Sequence, residues 1–354
     1  MTSDIGAEIR SRVQQAIGAQ RALEILGCGT KRFLGREPFG SALEIVGHSG
    51  IVDYQPSELM LTARAGTPLK DIESLLTEHG QMLAFEPPHF GATATLGGTI
   101  ACALSGPRRP YVGAVRDFVL GVVCLNGNGE RLRFGGQVMK NVAGFDISRL
   151  MAGAMGTLGV LLEISLKVVP KPETEATVGH RLAVSEALEF MNRLAGRPLP
   201  ISAASFDGEN VLLRLSGVAS AVAAAEKTVG GDRVPDGEDH WRKLREHELP
   251  FFDTRDKPLW RLSLPPARPP LALTGEWFFD WGGAQRWLKT DADPALVRQA
   301  AVAAAGHATL FRGGDRSSEV FTPLSPAMGE LHRRLKQAFD PHGIFNRGRL
   351  YSAL

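Results

Sequence analysis

Three glycine-rich segments, all before Pro170, constrain this chain's fold more than any other feature. The first is Leu26-Gly27-Cys28-Gly29-Thr30-Lys31, straight after the apolar run at residues 22–26. The second is Thr95-Leu96-Gly97-Gly98-Thr99-Ile100-Ala101, running on to Ser105-Gly106 and Gly113-Ala114-Val115-Arg116-Asp117. The third is Gly153-Ala154-Met155-Gly156-Thr157-Leu158-Gly159-Val160. Small residues let backbone N–H groups converge on an anion, and a pyrophosphate needs several such donors. Three such segments in one half of the chain describe one long groove lined by backbone. Three tight turns with close helix–strand packing are the alternative. Glycine supplies 40 of 354 residues, about 11% against a usual level of roughly 7%, without the strict period of collagen.

The two standard phosphate loops fail by inspection. A dinucleotide fingerprint beginning at Gly27 needs glycine at position 32, which is Arg32. A P-loop needs a Gly-Lys pair, and none occurs in the chain. Forty basic and 38 acidic side chains give a formal charge of +2, which excludes a strongly basic nucleic-acid binder. Cys28, Cys102 and Cys124 are odd in number and scattered. They fit a reduced cytosolic protein and cannot hold a four-cysteine iron–sulfur cluster. Asp4, Glu8 and Arg10 interrupt any signal-peptide core, and no apolar run approaches the roughly 20 residues that span a bilayer. The expectation is a soluble, cytoplasmic chain, held peripherally at the inner face of the membrane only through partners.

The length favours two domains. Residues 4–19 have helical spacing, and short extended runs follow. Thr67 is the predicted N-cap of a helix with Pro68 at its first position and Gly80 past its end. Residues 126–129, Asn-Gly-Asn-Gly, read as a hairpin turn. Pro170-Lys171-Pro172 marks a boundary. Beyond it a β-α-β-β-α order predicts an antiparallel sheet with helices on one face, with no internal repeat evident and with mobile loops at 232–239 and 265–270. The expected architecture is α+β, with domains at 1–172 and 173–320 and a C-terminal helix and tail, 321–354, packing back on the first domain.

Read together, the 27–31 loop, the 96–101 segment, Gly113-x-x-Arg116-Asp117-x-Val119-Leu120-Gly121, and Gly144-Phe145-Asp146 leading to Gly156-Thr157-Leu158-Gly159 resemble the vanillyl-alcohol-oxidase/PCMH-type FAD-binding domain. The resemblance covers about residues 1–172. Trp281-Gly282-Gly283-Ala284-Gln285-Arg286-Trp287 and Phe339-Asp340-Pro341-His342-Gly343-Ile344-Phe345-Asn346 extend it to most of the chain. Within that superfamily they are similar to the FAD-binding subunits of bacterial glycolate oxidases.

The resemblance implies a PCMH-type FAD domain and a smaller, ferredoxin-like second domain. It places the pyrophosphate on backbone amides of Gly27, Cys28, Gly29, Thr30 and Lys31 and of Gly97, Gly98 and Thr99, and the adenine end near Gly159 and Val160. Leu96, Ala101, Ser105, Gly113, Val115, Arg116, Gly156 and Asn346 complete the implied cofactor contacts. The first loop has no histidine for covalent attachment, so non-covalent FAD is expected. The tail reads Asn346-Arg347-Gly348-Arg349 where the family has Asn-Pro-Gly, which loosens the turn around Asn346.

Oxidising a 2-hydroxy acid requires a proton acceptor, a cation for the carboxylate and the flavin as hydride acceptor. Catalytic relatives carry a segment of the type His-x-Gly-Asp-Gly-Asn-x-His; the nearest string here, Asp207-Gly208-Glu209-Asn210, lacks both histidines. His240 and His247 are about 10 Å apart along a helix, too far for one metal, so no metal is expected. His89, in the Pro-Pro-His-Phe segment before the Gly-Gly motif, reads as a plain loop histidine, with a place facing the flavin ring as the alternative. Arg286 and Arg312 are the candidate carboxylate anchors, with a buried hairpin as the alternative for Arg286. Arg108-Arg109-Pro110 reaches either the cofactor phosphates or a partner, unless it is an exposed loop. The implied role is an accessory FAD subunit of a glycolate oxidase, with a catalytic flavoprotein subunit and an iron–sulfur subunit as separate chains. A self-sufficient FAD-dependent 2-hydroxy-acid dehydrogenase is the alternative. A single-chain flavoprotein reductase of cell-wall precursor type shares only the first domain.

Overall fold

Val160–Lys167 (VLLEISLK) is a nearly continuous apolar run, and seven of its eight residues are buried. A strand covered on both faces needs such a run, and this one is central to the first unit. In the computed structural model, which describes residues 3–136, 146–253 and 256–354, it sits in an antiparallel five-stranded sheet. The order is Ile51–Gln55, Met60–Arg64, Val160–Lys167, Val119–Leu125 and Arg131–Gly135. Glu163, the one acidic residue of the central strand, accepts from Arg131 at 2.6 Å. The last two strands form the expected hairpin: Asn126 Oδ1 accepts from the amides of Asn128 and Glu130, and Gly129 takes φ +73°. A second, parallel pair joins Leu23–Leu26 to Ser41–Glu44, and Leu23 also bridges Phe345 of the tail.

Thr67 does not cap the next helix. Its hydroxyl accepts from the Gly50 amide at 2.9 Å and donates to the Gly50 carbonyl at 3.2 Å, so the helix, Leu69–Glu78, begins after Pro68. A tertiary partner outcompeted the local cap.

Contacts divide the chain into residues 1–104, 114–170 and 316–354 on one side, and 105–113 with 171–315 on the other. The expected boundaries were 172 and 320; the assignment of 105–113 to the second unit had no counterpart in the sequence reading. The tail falls in the first unit.

The second unit is one eight-stranded antiparallel sheet. Its order is Asp232–Arg233, Thr174–Arg181, Asn210–Gly217, Ile201–Phe206, Glu276–Asp280, Gln285–Lys289, Leu259–Ser263, His307–Arg312. Numbered within each half, the first four strands run 4-1-3-2 and the last four 2-3-1-4. The unit therefore contains two ferredoxin-like halves, a structural repeat invisible in the sequence. The halves meet at a single registered pair, Phe206 and Phe279, with ring centroids 5.8 Å apart. Residues 264–275 replace the helix that would complete the second half. Residues 232–239, expected as a loop, instead supply a short strand and the start of helix Gly237–Glu246.

Candidate cofactor groove

The strand Leu23–Leu26 ends in the first glycine loop, and that loop forms one wall of a groove within the first unit. The groove spans about 970 Å³ of non-atom space, open solvent at its mouth included. Gly27, Cys28, Gly29, Thr30, Lys31, Gly97, Gly98, Ala101, Gly156, Gly159 and Asn346 all line it. Met151, Met155 and Leu161 give it an apolar floor.

The two glycine walls differ in their hydrogen bonds. Among the described residues, the amides of Gly27, Cys28, Gly29 and Thr30 meet no protein acceptor. Gly29 has φ +74°, and a Cβ built there meets nothing within 4 Å. This stretch is a cradle of donors with open space before it. By contrast, the amides of Gly97, Gly98 and Thr99 already donate to Ala65 O, Thr95 Oγ1 and Thr95 O. A Cβ on Gly97 would lie 2.8 Å from that of Ala65, and one on Gly27 would lie 2.4 Å from Thr95 Oγ1. These two glycines serve the protein's own packing, and the 97–99 amides are engaged within the chain, contrary to the expected pyrophosphate contact.

Asn346 holds two walls together. Its Oδ1 accepts from the Ile25 amide at 2.7 Å and its Nδ2 donates to Met155 O at 2.6 Å. Gly156 must lack a side chain because its Cβ would sit 2.6 Å from that amide nitrogen. Below it, Lys336 Nζ donates to Asp340 Oδ2, Thr157 O and Phe345 O at 2.7–2.8 Å. Burial lowers the proton affinity of Lys336, and Asp340 raises it in part. In Asn346-Arg347-Gly348-Arg349, buried Arg349 donates to the carbonyls of Arg36 and, at 2.6 Å, Arg32.

Charge in the groove is mixed. Arg32 and Glu24 form a two-bond pair at 2.8 and 3.0 Å, and Lys31 Nζ donates to His89 O at 3.1 Å. Burial pushes the Cys102 thiol upward in pKa, against the pull of Lys31 and Arg349. Cys28 is exposed. The sequence reading missed Thr95, Cys102, Met155 and Arg349 as lining residues. Thr95 had a readable signal, an N-cap threonine before Leu96; its hydroxyl takes the Gly98 amide.

Several expected contacts lie elsewhere. Leu96, Thr99, Val115 and Val160 are buried in the packing and do not line the groove. Arg116 is exposed beside Asp117, and Ser105 and Gly113 belong to the second unit. Gly144 and Phe145 fall outside the described residues.

In the second unit Arg286 is fully buried. Its Nε donates to Gly283 O at 3.0 Å, its Nη1 to Pro269 O at 2.8 Å and its Nη2 to Arg268 O. Burial lowers its pKa to about 10. With its donors engaged by backbone carbonyls, it braces the 265–270 segment expected to be mobile, which is the hairpin alternative and not the carboxylate anchor. Arg312 packs 5.9 Å from the Phe311 ring, its pKa lowered by burial. Burial also lowers His240 to about 4, and half-buried His247 stacks on Phe252 at 4.0 Å. Among the described residues no three metal-ligating side chains cluster, and no helix is long and apolar enough to cross a membrane.

A family model described as an FAD binding domain matches residues 6–135. Glycolate oxidase subunit GlcE of Escherichia coli (strain K12) is 47% identical over 351 residues, 99% of each chain. Glycolate oxidase subunit GlcD of Bacillus subtilis (strain 168) is 35% identical over 130 residues, 36% of this chain and 27% of that one. A solved structure of alkyldihydroxyacetonephosphate synthase superimposes with TM-score 0.67 at 14% identity, covering 96% of this chain and 74% of its own, which is a likeness of fold. The residues present fit FAD: a cradle of unclaimed donors beside an apolar floor suits a cofactor with a pyrophosphate and a flat ring. The chain belongs to the FAD-binding GlcE family of glycolate oxidase subunits, within the FAD-dependent oxidoreductases.

Proposed function

We propose that this chain is the FAD-holding subunit of a complex that oxidises glycolate to glyoxylate, accessory to a separate catalytic flavoprotein subunit, with an iron–sulfur subunit as the further electron carrier. The observation that carries the reading is the combination of a cradle of unclaimed donors with, among the described residues, no cluster of histidines. FAD, when bound, supplies a two-electron acceptor. The chain's own residues do the holding. The amides of Gly27, Cys28, Gly29 and Thr30 bind phosphate oxygens, while Met151, Met155 and Leu161 exclude water from the groove floor. Asn346 keeps the walls at their spacing. The cofactor is held without a covalent bond. The three scattered cysteines leave onward electron transfer to a partner, and the chain works on the cytoplasmic side.

The test is an anaerobic visible spectrum of the chain purified alone, before and after glycolate. Flavin bands that persist support the accessory reading. Bands that bleach overturn it in favour of a self-sufficient 2-hydroxy-acid dehydrogenase. Absence of flavin bands removes the FAD-holding role altogether.

A further inference from the structure

The helix Pro326–Phe339 spans 14 residues, and none of them is fully buried. Helices in folded proteins owe most of their stability to a packed apolar face, so this one leans on individual contacts. Lys336 makes the most of them. Its Nζ donates to Asp340 Oδ2 and Phe345 O at 2.7 Å and to Thr157 O at 2.8 Å, which engages all three N–H donors. The Lys336 side chain is 11% exposed, and that of Asp340 is fully buried.

The partners of this ion pair lie in two segments that build the groove. Residues 344–346 run beside Leu23–Leu26 through a parallel bridge: Leu23 N donates to Ile344 O at 2.7 Å, and Asn346 N donates to Leu23 O at 3.0 Å. Phe345, between them, turns its backbone the other way. Its N–H donates to Asp340 Oδ2 at 2.8 Å, its carbonyl accepts from Lys336, and Asp340 Oδ1 accepts from the Ile344 amide at 3.1 Å. The ion pair thus occupies the edge where a further strand would otherwise pair. One residue on, Asn346 ties the Ile25 amide to Met155 O, and Ile25 leads into the donor cradle at 27–30. Thr157 belongs to the third glycine segment, whose Gly156 and Gly159 line the groove; Lys336 does not line it.

We propose that Lys336 is a positioning residue for the cofactor: its ammonium holds the tail at 344–346 and the third glycine segment at the spacing in which the groove takes FAD. The inference rests on the reading above that this groove holds FAD. Lys336 acts through Asn346 and Thr157 and touches no cofactor itself. The charge has a titration to match. Burial lowers the Lys336 pKa from its ordinary value; Asp340 opposes the shift and Arg347 of the tail adds to it. The third glycine segment, and the 126–129 turn packed on Asp340, carry no charged side chain. A lysine is charged below its pKa, so the ammonium is present at neutral pH and is lost as pH rises. The neutral amine keeps two N–H donors for three acceptors, and one of the two segments is released.

The experiment measures FAD affinity of the full chain by flavin fluorescence, with thermal unfolding of the same samples so that affinity refers to folded protein. Lys336→Met binds FAD about tenfold or more weakly at neutral pH, because two carbonyls and a carboxylate lose their donor. Lys336→Arg recovers part of the loss by keeping the charge with a different fork of donors. Wild type loses affinity as pH rises from about 8 to about 10, approaching the lysine range, and Lys336→Met shows no such decline. The proposal is overturned if Lys336→Met binds FAD as the wild type does at neutral pH, or if both decline alike at alkaline pH. Should Lys336→Met fail to fold, Lys336→Arg decides: it stays charged throughout, and an alkaline decline equal to that of the wild type overturns the proposal. A wild type and Lys336→Met that hold FAD equally remove the positioning role and leave the FAD-subunit reading standing. A wild-type chain that binds no FAD overturns both.

Discussion

Gly27-Cys28-Gly29-Thr30 and Gly97-Gly98-Thr99 look alike as sequence, and the glycines of both line the same groove, yet their backbones are used in opposite ways. In the first the amides donate to no protein atom among the described residues. In the second they are engaged by Ala65 and Thr95, and the absence of side chains lets the segment approach Ala65. Glycine is therefore a cofactor feature in one wall and a packing feature in the other. A glycine-rich string signals close approach; it does not say what approaches.

Valine at each position separates the two roles. Gly97→Val forces a branched side chain into Ala65, and the fold should lose about 3 kcal/mol, the upper end of over-packing costs. Thermal unfolding checks this, and FAD is lost only as the fold loosens. Asn346→Ala removes both side-chain bonds that tie Ile25 to Met155, which should cost about 2 kcal/mol from unsatisfied partners. Flavin retention then falls in step with stability, as measured on the same samples. Gly29→Val pays a left-handed backbone penalty of about 1–2 kcal/mol. It should nonetheless weaken FAD by more than that loss explains, since its side chain projects into the open cradle; equilibrium dialysis of FAD against unfolding stability separates the two. If Gly29→Val keeps full flavin while Gly97→Val loses it with an unchanged melting temperature, the assignment of the two walls is reversed. The smallest effect is expected for Cys28→Ser. Its thiol is exposed in the cradle, and acid precipitation should release all flavin from wild type and variant alike. Flavin that stays with the wild-type precipitate and leaves the variant would show a covalent bond to Cys28.

Much of the local structure was legible. The apolar run of Val160–Lys167, the Asn126 hairpin and the strand before Gly27 follow from periodicity and turn chemistry. What escaped depended on distant partners. Thr67 has the composition of an N-cap, but Gly50 claims its hydroxyl from 17 residues away. Arg286 has the chemistry of a carboxylate anchor, but the Pro-rich segment at 265–270 returns to surround it with carbonyls. The repeat of two ferredoxin-like halves left no trace, since strand order lies in pairing and the second half lacks one helix.

The sequence by itself determined that this chain builds a glycine-lined, backbone-donating groove in its first half and an antiparallel α+β unit in its second. Residue type and spacing are enough for that, because hydrophobic period and the conformational freedom of glycine act locally. Only the tertiary structure decided which donors stay open. Whether the amide of Gly29 or of Gly97 is left for a ligand depends on whether another part of the chain brings an acceptor to it. A hydrogen bond is satisfied by whatever atom arrives within about 3 Å, however far away it lies in sequence.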